Sequence, residues 1–416
     1  MIDRRALLLG SAAIAGVLAL PVTAYAQQSS VSGGRGGRII RVTTLAADGP
    51  GSFLEAVKAK GPRIIVFEVG GVVDLNMQTV KINNGDVTIA GQTAPSLVTF
   101  IRGGIGVSAN NVVIQHIAVR PGEAGQAKKS GWECDGITAY AASQVEVSNC
   151  SITWATDEGL SASGPRFEGA NLAEWRANTS HGIRFHNNIV AEGLSNSTHS
   201  KGEHSKGTLV HDNVRDAIVA NSLYAHNRER NILFKGGAQG EMAGNVVYNA
   251  GKRFAHYNLH KNEWGENAFA KGEVEVRGNV FLGGPSTDPN AAAFMLGGDG
   301  ALDLNIHGNL ALKADGTPME TTGRFGDASP LLTLKAHSYV DRTAELRAHM
   351  TKVLDTCGAR PWERDPIDQR IVDDVRNGTG RIIDSEQEVG GYPQRPEARA
   401  PFVEAEWDLA TLKRRA

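Results

Sequence analysis

Cysteine, aromatic residues and net charge are all scarce in this chain of 416 residues, and each scarcity excludes something. Three cysteines, Cys134, Cys150 and Cys357, are too few for a disulfide framework. One bridge at most can form, so stability must come from burial. Aromatics make up 6% of the chain, while its 49 glycines follow no collagen-like period. Many glycines with few aromatics point to turns and bulges rather than long helices. A formal net charge of −2 argues against nucleic acid as a general partner. It also means that a polyanionic ligand has to be held by a local basic cluster, because no global field attracts it. Long apolar runs are missing too. The stretch from Ala6 to Pro21 is too short for a spanning helix, and Arg4 and Arg5 precede it. With Ala24-Tyr25-Ala26 behind it, residues 1–26 have the form of a cleavable export signal, and no membrane anchor is expected. The paired arginines fit a twin-arginine signal and an ordinary secretory one equally. Either route places the mature protein in the periplasm or outside the cell.

What the chain does contain is a loosely repeated phrase, an apolar-x-apolar pair followed by Asn or His. It occurs as Val112-Val113-Ile114-Gln115-His116, Val145-Glu146-Val147-Ser148-Asn149, Ile183-Arg184-Phe185-His186-Asn187 and Ile218-Val219-Ala220-Asn221. It returns as Met242-Ala243-Gly244-Asn245, Val274-Glu275-Val276-Arg277-Gly278-Asn279 and Leu304-Asn305-Ile306-His307-Gly308-Asn309. From Asn to Asn the spacings are 38, 34, 24, 34 and 30 residues. The shortest fits one bare coil of a parallel β-helix, and the longer ones fit a coil with an inserted loop. Each copy alternates with the two-residue period of a strand and ends in a turn former, and no hairpin dipeptide recurs between copies. Asn tolerates left-handed backbone, and copies on successive coils can stack their side-chain amides.

An open coil stack needs covers at its ends. Ser52 and Glu55 form a capping box for a short helix from Phe53 to Lys60, a plug for the first coil. Near the other end, Leu346, Met350, Val353 and Leu354 have helical spacing before Gly358. A second helix starts at Asp365-Pro366 and stops at Asn377-Gly378. The expected fold is therefore all-β: a single-stranded right-handed parallel β-helix with a helical cap on its N-terminal side and C-terminal helices packed outside. Residues 27–416 form one domain in this reading, with a helical and extended wrap from about 338. Covered ends are consistent with a monomer.

Candidate chemistry concentrates between residues 130 and 240. Glu133, Asp135, Asp157 and Glu158 are acidic; His199, Lys201, His204 and Lys206 follow Ser197; Arg228, Arg230 and Lys235 complete a second basic group. On successive coils these become neighbours. Carboxylates without histidine or thiolate among them suit calcium rather than zinc. A carboxylate cluster beside a cationic one suits elimination on a uronic acid polymer. There a cation offsets the sugar carboxylate, a base takes the adjacent C5 proton, and Lys or Arg hold the flanking carboxylates.

The chain resembles the parallel β-helix pectate lyases along nearly all of its mature length. The matching stretches are Gly33-Gly34-Arg35-Gly36-Gly37, Ala47-Asp48-Gly49-Pro50-Gly51-Ser52-Phe53, Ile65-Val66-Phe67-Glu68-Val69-Gly70-Gly71 and Thr88-Ile89-Ala90-Gly91-Gln92-Thr93-Ala94-Pro95. Trp154-Ala155-Thr156-Asp157-Glu158, Arg230 to Gly237, and Gly390-Gly391-Tyr392-Pro393 follow in the same order. The resemblance implies a right-handed β-helix and calcium-dependent cleavage of polygalacturonate to unsaturated products. It assigns Arg230 as the catalytic arginine, with Lys206 or the nearby Lys201 as the substrate lysine. Lys235 is a base that binds a substrate carboxylate, with His204 and Arg228 beside the substrate. Glu133 and Asp135 are the first calcium-ligand pair, Glu158 is a later ligand, and Asp157 is its neighbour. Three positions depart from the family pattern: Ile232 stands where proline is usual, Ala162 where a further acidic ligand is usual, and Lys235 lacks arginine's fork. Arginine is normally protonated in proteins, so Lys206 and Lys201 also stand as candidate bases. A lyase on another uronic acid polymer, a non-catalytic polysaccharide-binding β-helix and a hydrolase of the same polymer are the competing readings, and the nature of the product separates them.

Overall fold

A computed structural model describes residues 31–326, 332–334 and 342–415. The segment read as an export signal, 1–26, and the start of the expected wrap at 338–341 lie outside those residues. The chain winds as a right-handed parallel β-helix of three sheets. The first sheet has eleven parallel strands, from Arg38–Val42 through Ser143–Ser148, His181–His186, Arg215–Ala220 and Gln239–Ala243 to Leu332–Leu334. The second runs from Ala118–Arg120 to Leu310–Leu312, and the third from Ile137–Tyr140 to Thr322–Arg324. Two long strands, Val69–Ile82 and Val98–Val107, bend from the second sheet into the third. Their pairing is interrupted between Asp74 and Gln78, where Asn76 and Met77 adopt left-handed backbone.

Two-residue alternation fixes which side chains enter the barrel. Val147, Phe185, Val219, Met242 and Val276 stand in register on neighbouring coils and are buried. Each such side chain contributes about 1.5–3 kcal/mol of apolar burial. Just after this sheet the repeat resolves into two adjacent columns rather than one. Asn149, Asn187, Asn221, Gly244, Gly278 and Gly308 take the left-handed corner. The next residue points inward, and there Asn188, Ser222, Asn245, Asn279 and Asn309 form the ladder. The Asn245 amide nitrogen donates to Asn279 Oδ1 at 3.0 Å, and that of Asn279 donates to Asn309 Oδ1 at 2.9 Å. The Asn-to-Asn count mixed these two columns, because Asn serves both purposes.

The N-terminal helix spans Phe53–Lys58, with the Ser52 side chain accepting from the Glu55 amide at 3.2 Å. It ends two residues before Lys60, because Ala59 is already extended. Gly34 belongs to a segment laid against the coils, where a Cβ would lie 1.7 Å from the Arg63 carbonyl oxygen. The C-terminal helices, Thr343–Thr356 and Pro366–Asn377, place Leu346, Val353, Leu354, Ile371 and Val375 on the outer face of the second sheet. Phe402, Trp407 and Leu412 then cover Ile64, Val66 and Ala90 on the outside of the first. All three cysteines are buried and free, so the bridge allowed by the sequence does not form. Among the described residues no helix is long and apolar enough to cross a membrane.

One buried ionic knot fastens the second helix to the barrel. Arg120 donates to Asp365 at 2.7 Å and to Asp368 at 3.0 Å, and Ser151 donates to Asp368. Burial and the adjacent Asp365 charge push the Asp368 carboxyl up to about 6 from 3.8. Burial also acts on Asp365, but Arg120 outweighs it and holds that carboxyl low. A raised folded-state value means that the folded protein binds the extra proton between these two pH values, so Asp368 favours folding below about 4 and loses that contribution as pH rises through about 6. The stability deficit of Asp368→Asn should therefore shrink between pH 4.5 and 7 in thermal melts. A deficit that widens over that range would refute the assignment.

Candidate active site

The third sheet builds the site because its strands start where the loops from the second sheet enter. Glu158 pairs with Lys206 across neighbouring strands, and Lys206 bridges in parallel to Glu229 on the next coil. The amide of Gly136 donates to the Glu158 carbonyl at 2.9 Å, which puts Asp135 beside this line. Carboxylate, carboxylate, ammonium and carboxylate thus follow one another at the spacing of adjacent strands, about 4.8 Å. Glycine lines the inner side. A Cβ on Gly136 would lie 2.5 Å from the Gly159 oxygen, one on Gly159 3.1 Å from the Gly207 oxygen, and one on Gly207 2.6 Å from the Arg230 oxygen. Only glycine lets the coils close behind the charged row. This stack was not read from the sequence, although Asp135-Gly136, Glu158-Gly159 and Lys206-Gly207 all show it.

Asp135, Asp157 and Glu158 each turn a carboxylate oxygen to a common point, all within 4.8 Å of one another. Burial and the Asp157 charge push the Asp135 carboxyl up to about 7. Its oxygens accept from Thr138 and, at 2.9 Å, from the Glu158 amide. Burial would raise Asp157 as well, but the hydrogen bond from His204, at 2.7 Å, and the charges of His204, His199 and Arg230 together outweigh it and leave the carboxyl below its ordinary value. His199 stacks on His204 with ring centroids 3.6 Å apart. The sequence reading put His204 beside the substrate and kept histidine out of the acidic group. The structure instead sets both imidazoles against Asp157. Glu133 stands outside the three-carboxylate group, accepting from the Ser200 amide at 3.0 Å, with His199 Nδ1 at 3.4 Å.

The cations flank this cluster. Arg230 is ion-paired with Glu158, and its backbone is left-handed, with φ at 62°. Burial lowers its guanidinium pKa against the opposing pull of Asp157 and Asp135. Lys206 is buried and paired with Glu229, whose other oxygen holds Arg253. Burial and the Arg253 charge bring the Lys206 ammonium down to about 7, against the opposing charges of Asp157 and Glu203. Lys235 meets Glu263 at 2.5 Å and Asp212 at 3.6 Å, and Arg166 meets the same Asp212 at 3.0 Å. Arg228 and Lys252 both pair with Glu203 at 2.6 Å, on the rim. Lys201 is exposed and forms no ion pair among the described residues. Glu229, Arg253, Asp212 and Glu263 are the partners that motif reading missed, since they lie on neighbouring coils or inserted loops. Ile232 and Ala162 are both buried in the core, so position 162 has no side chain to offer a cation. Trp154 is fully buried and donates to Glu192 at 3.0 Å, so its ring is not available to stack on a sugar.

Hard oxygen donors converge here next to a cationic row, on an open face of a β-helix. A probable pectate lyase C of Emericella nidulans is 30% identical over 373 residues, 86% of this chain and 76% of that protein. A probable pectate lyase C of Aspergillus terreus is 28% identical over 377 residues, 86% of this chain and 78% of its own. Among solved structures, the cedar pollen allergen Jun a 1 matches with a TM-score of 0.50 at 13% identity, over 79% of this chain and 91% of the allergen, a likeness of fold alone. No family model matches the chain. Identity at that level over three quarters of a relative's length places this chain in the pectate lyase family.

Proposed function

We propose that the protein is exported and cleaves polygalacturonate by calcium-assisted β-elimination. The observation that carries this reading is the axial row in which the Asp135, Asp157 and Glu158 carboxylates adjoin Arg230 and Lys206. The donor set fits calcium: its ligands are hard oxygens, and the raised Asp135 carboxyl is a crowded charge that a cation would relieve. Asp135, Asp157 and Glu158 would hold the ion, with Glu133 alongside. Bound calcium supplies neutralisation of the uronate carboxylate and stabilises the negative charge left when the C5 proton is removed.

In this reading Arg230, rather than Lys206, is the base. Arg230 adjoins Glu158 and feels Asp157 and Asp135, so it would lie beside the C5 proton of a uronate held at those carboxylates. Lys206 points instead to Glu229 and Arg253, one coil on, where it would meet the carboxylate of the next sugar. In its neutral form, which burial favours, Arg230 takes the C5 proton, the bond from C4 to the glycosidic oxygen breaks, and a C4=C5 double bond forms; the departing oxygen takes a proton from water, and the hydroxide left behind returns Arg230 to its neutral form. Lys206 and Lys235 hold flanking carboxylates, with Glu263 giving up Lys235 to the substrate, and Arg228 guides the polymer at the rim.

The test is ultraviolet absorbance of the mature protein with polygalacturonate. Calcium should produce a steady rise from the conjugated product, and chelator should abolish it. New reducing ends without absorbance would mean hydrolysis. Binding with neither would mean that the chain holds the polymer without cutting it.

A further inference from the structure

A cavity lies away from the catalytic row. Where the segment from Ala400 to Arg414 crosses the corner between the first and second sheets, it leaves a cavity of about 580 Å³. Four large apolar side chains are markedly exposed among the described residues, and two of them, Trp362 and Val403, line this one cavity. Trp362 is 57% exposed, yet one side of its ring is fixed: His116 lies 5.0 Å away and the Arg360 guanidinium 5.2 Å from its centroid. Arg360 is itself held by the Ala94 carbonyl and Glu363, at 3.0 and 2.7 Å. The platform is thus rigid before any ligand arrives, so its ordering entropy is already spent. Burial keeps His116 neutral, with its pKa near 4. The charged residues of the wall are otherwise Arg360, Lys413 and Arg414 against Glu406, with Glu363 just beyond the wall pairing Arg360. Glu406 is 3.7 Å from Arg414, whereas Lys413 is exposed. An exposed aromatic ring with a guanidinium over one face, in a cavity that Lys413 also lines, complements a sugar ring that carries a carboxylate.

We propose that Trp362, Arg360 and Lys413 form an accessory binding site for acidic polysaccharide, which anchors the protein to the polymer while the third-sheet row cuts elsewhere along it. This rests on the acidic-polysaccharide reading above. It gives a role to the most exposed large apolar side chain among the described residues, which neither the fold nor the chemistry uses.

The test is affinity electrophoresis in gels containing polygalacturonate and chelator, with Arg230→Ala as the parent so that neither calcium nor turnover contributes. The parent should be retarded. Adding Trp362→Ala, or Lys413→Glu as a second variant that keeps the aromatic ring, should weaken retention about tenfold, the 1.4 kcal/mol scale of one stacked or charged contact. Trp362→Ala alone should raise KM on the polymer and leave kcat/KM on trigalacturonate unchanged. Retention equal to the parent in both variants would overturn the proposal, as would an equal loss on polymer and trisaccharide. A failure of the lyase reading would appear separately, as missing absorbance from wild-type protein that the gel still retards.

Discussion

Arg230→Ala should lower turnover of polygalacturonate about 10³-fold, within the range that a positioned proton acceptor supplies. The variant should fold, because Glu158, the partner of Arg230, keeps its backbone pairing with Lys206. A second substitution separates chemistry from folding. Arg230 has φ at 62°, a conformation that costs a residue with a Cβ roughly 1–2 kcal/mol and glycine almost nothing. Arg230→Gly should therefore melt no lower than Arg230→Ala while being as inactive. Retention of more than a tenth of wild-type turnover in either variant would remove Arg230 from proton transfer and transfer that role to Lys206.

Arg120→Met should be the most damaging single change outside the site. Arg120 is fully buried and binds two buried carboxylates. Removing one partner of such a knot leaves uncompensated charge and costs about 3–5 kcal/mol. The loss should be read by denaturant titration and should shrink when Asp365→Asn is added, because the double variant no longer strands that charge. The helix Pro366–Asn377 should loosen first, since Asp365 is its N-cap and Asp368 its first-turn acid. Additive losses in the double variant would show that the three groups do not act as a unit.

The repeated strand phrase was legible because burial imposes it: alternate residues must be apolar wherever one face of a strand looks into a barrel. Its turn chemistry was legible only in part. Asn satisfies both a left-handed corner, as at Asn187, and an inward ladder, as at Asn245, and one letter cannot say which. The capping residues Ser52 and Asp365 were readable because a cap is local, and so were the stops at Ala59 and Gly378 to within two residues.

The sequence alone determined the fold class, the ends of its helices and the residue types from which the site is built, because alternation, caps and turns act over a few neighbouring residues. Resemblance to a family supplied the order of those parts. The tertiary structure decided the pairings. Coil lengths vary with the inserted loops, so only the winding could set Glu158 beside Lys206, place Glu229 between Lys206 and Arg253, and turn His199 and His204 onto Asp157. The pKa shifts follow from the same cause. Burial and neighbouring charge arise from residues tens of positions apart, and a linear chain carries no record of which of them will share a coil.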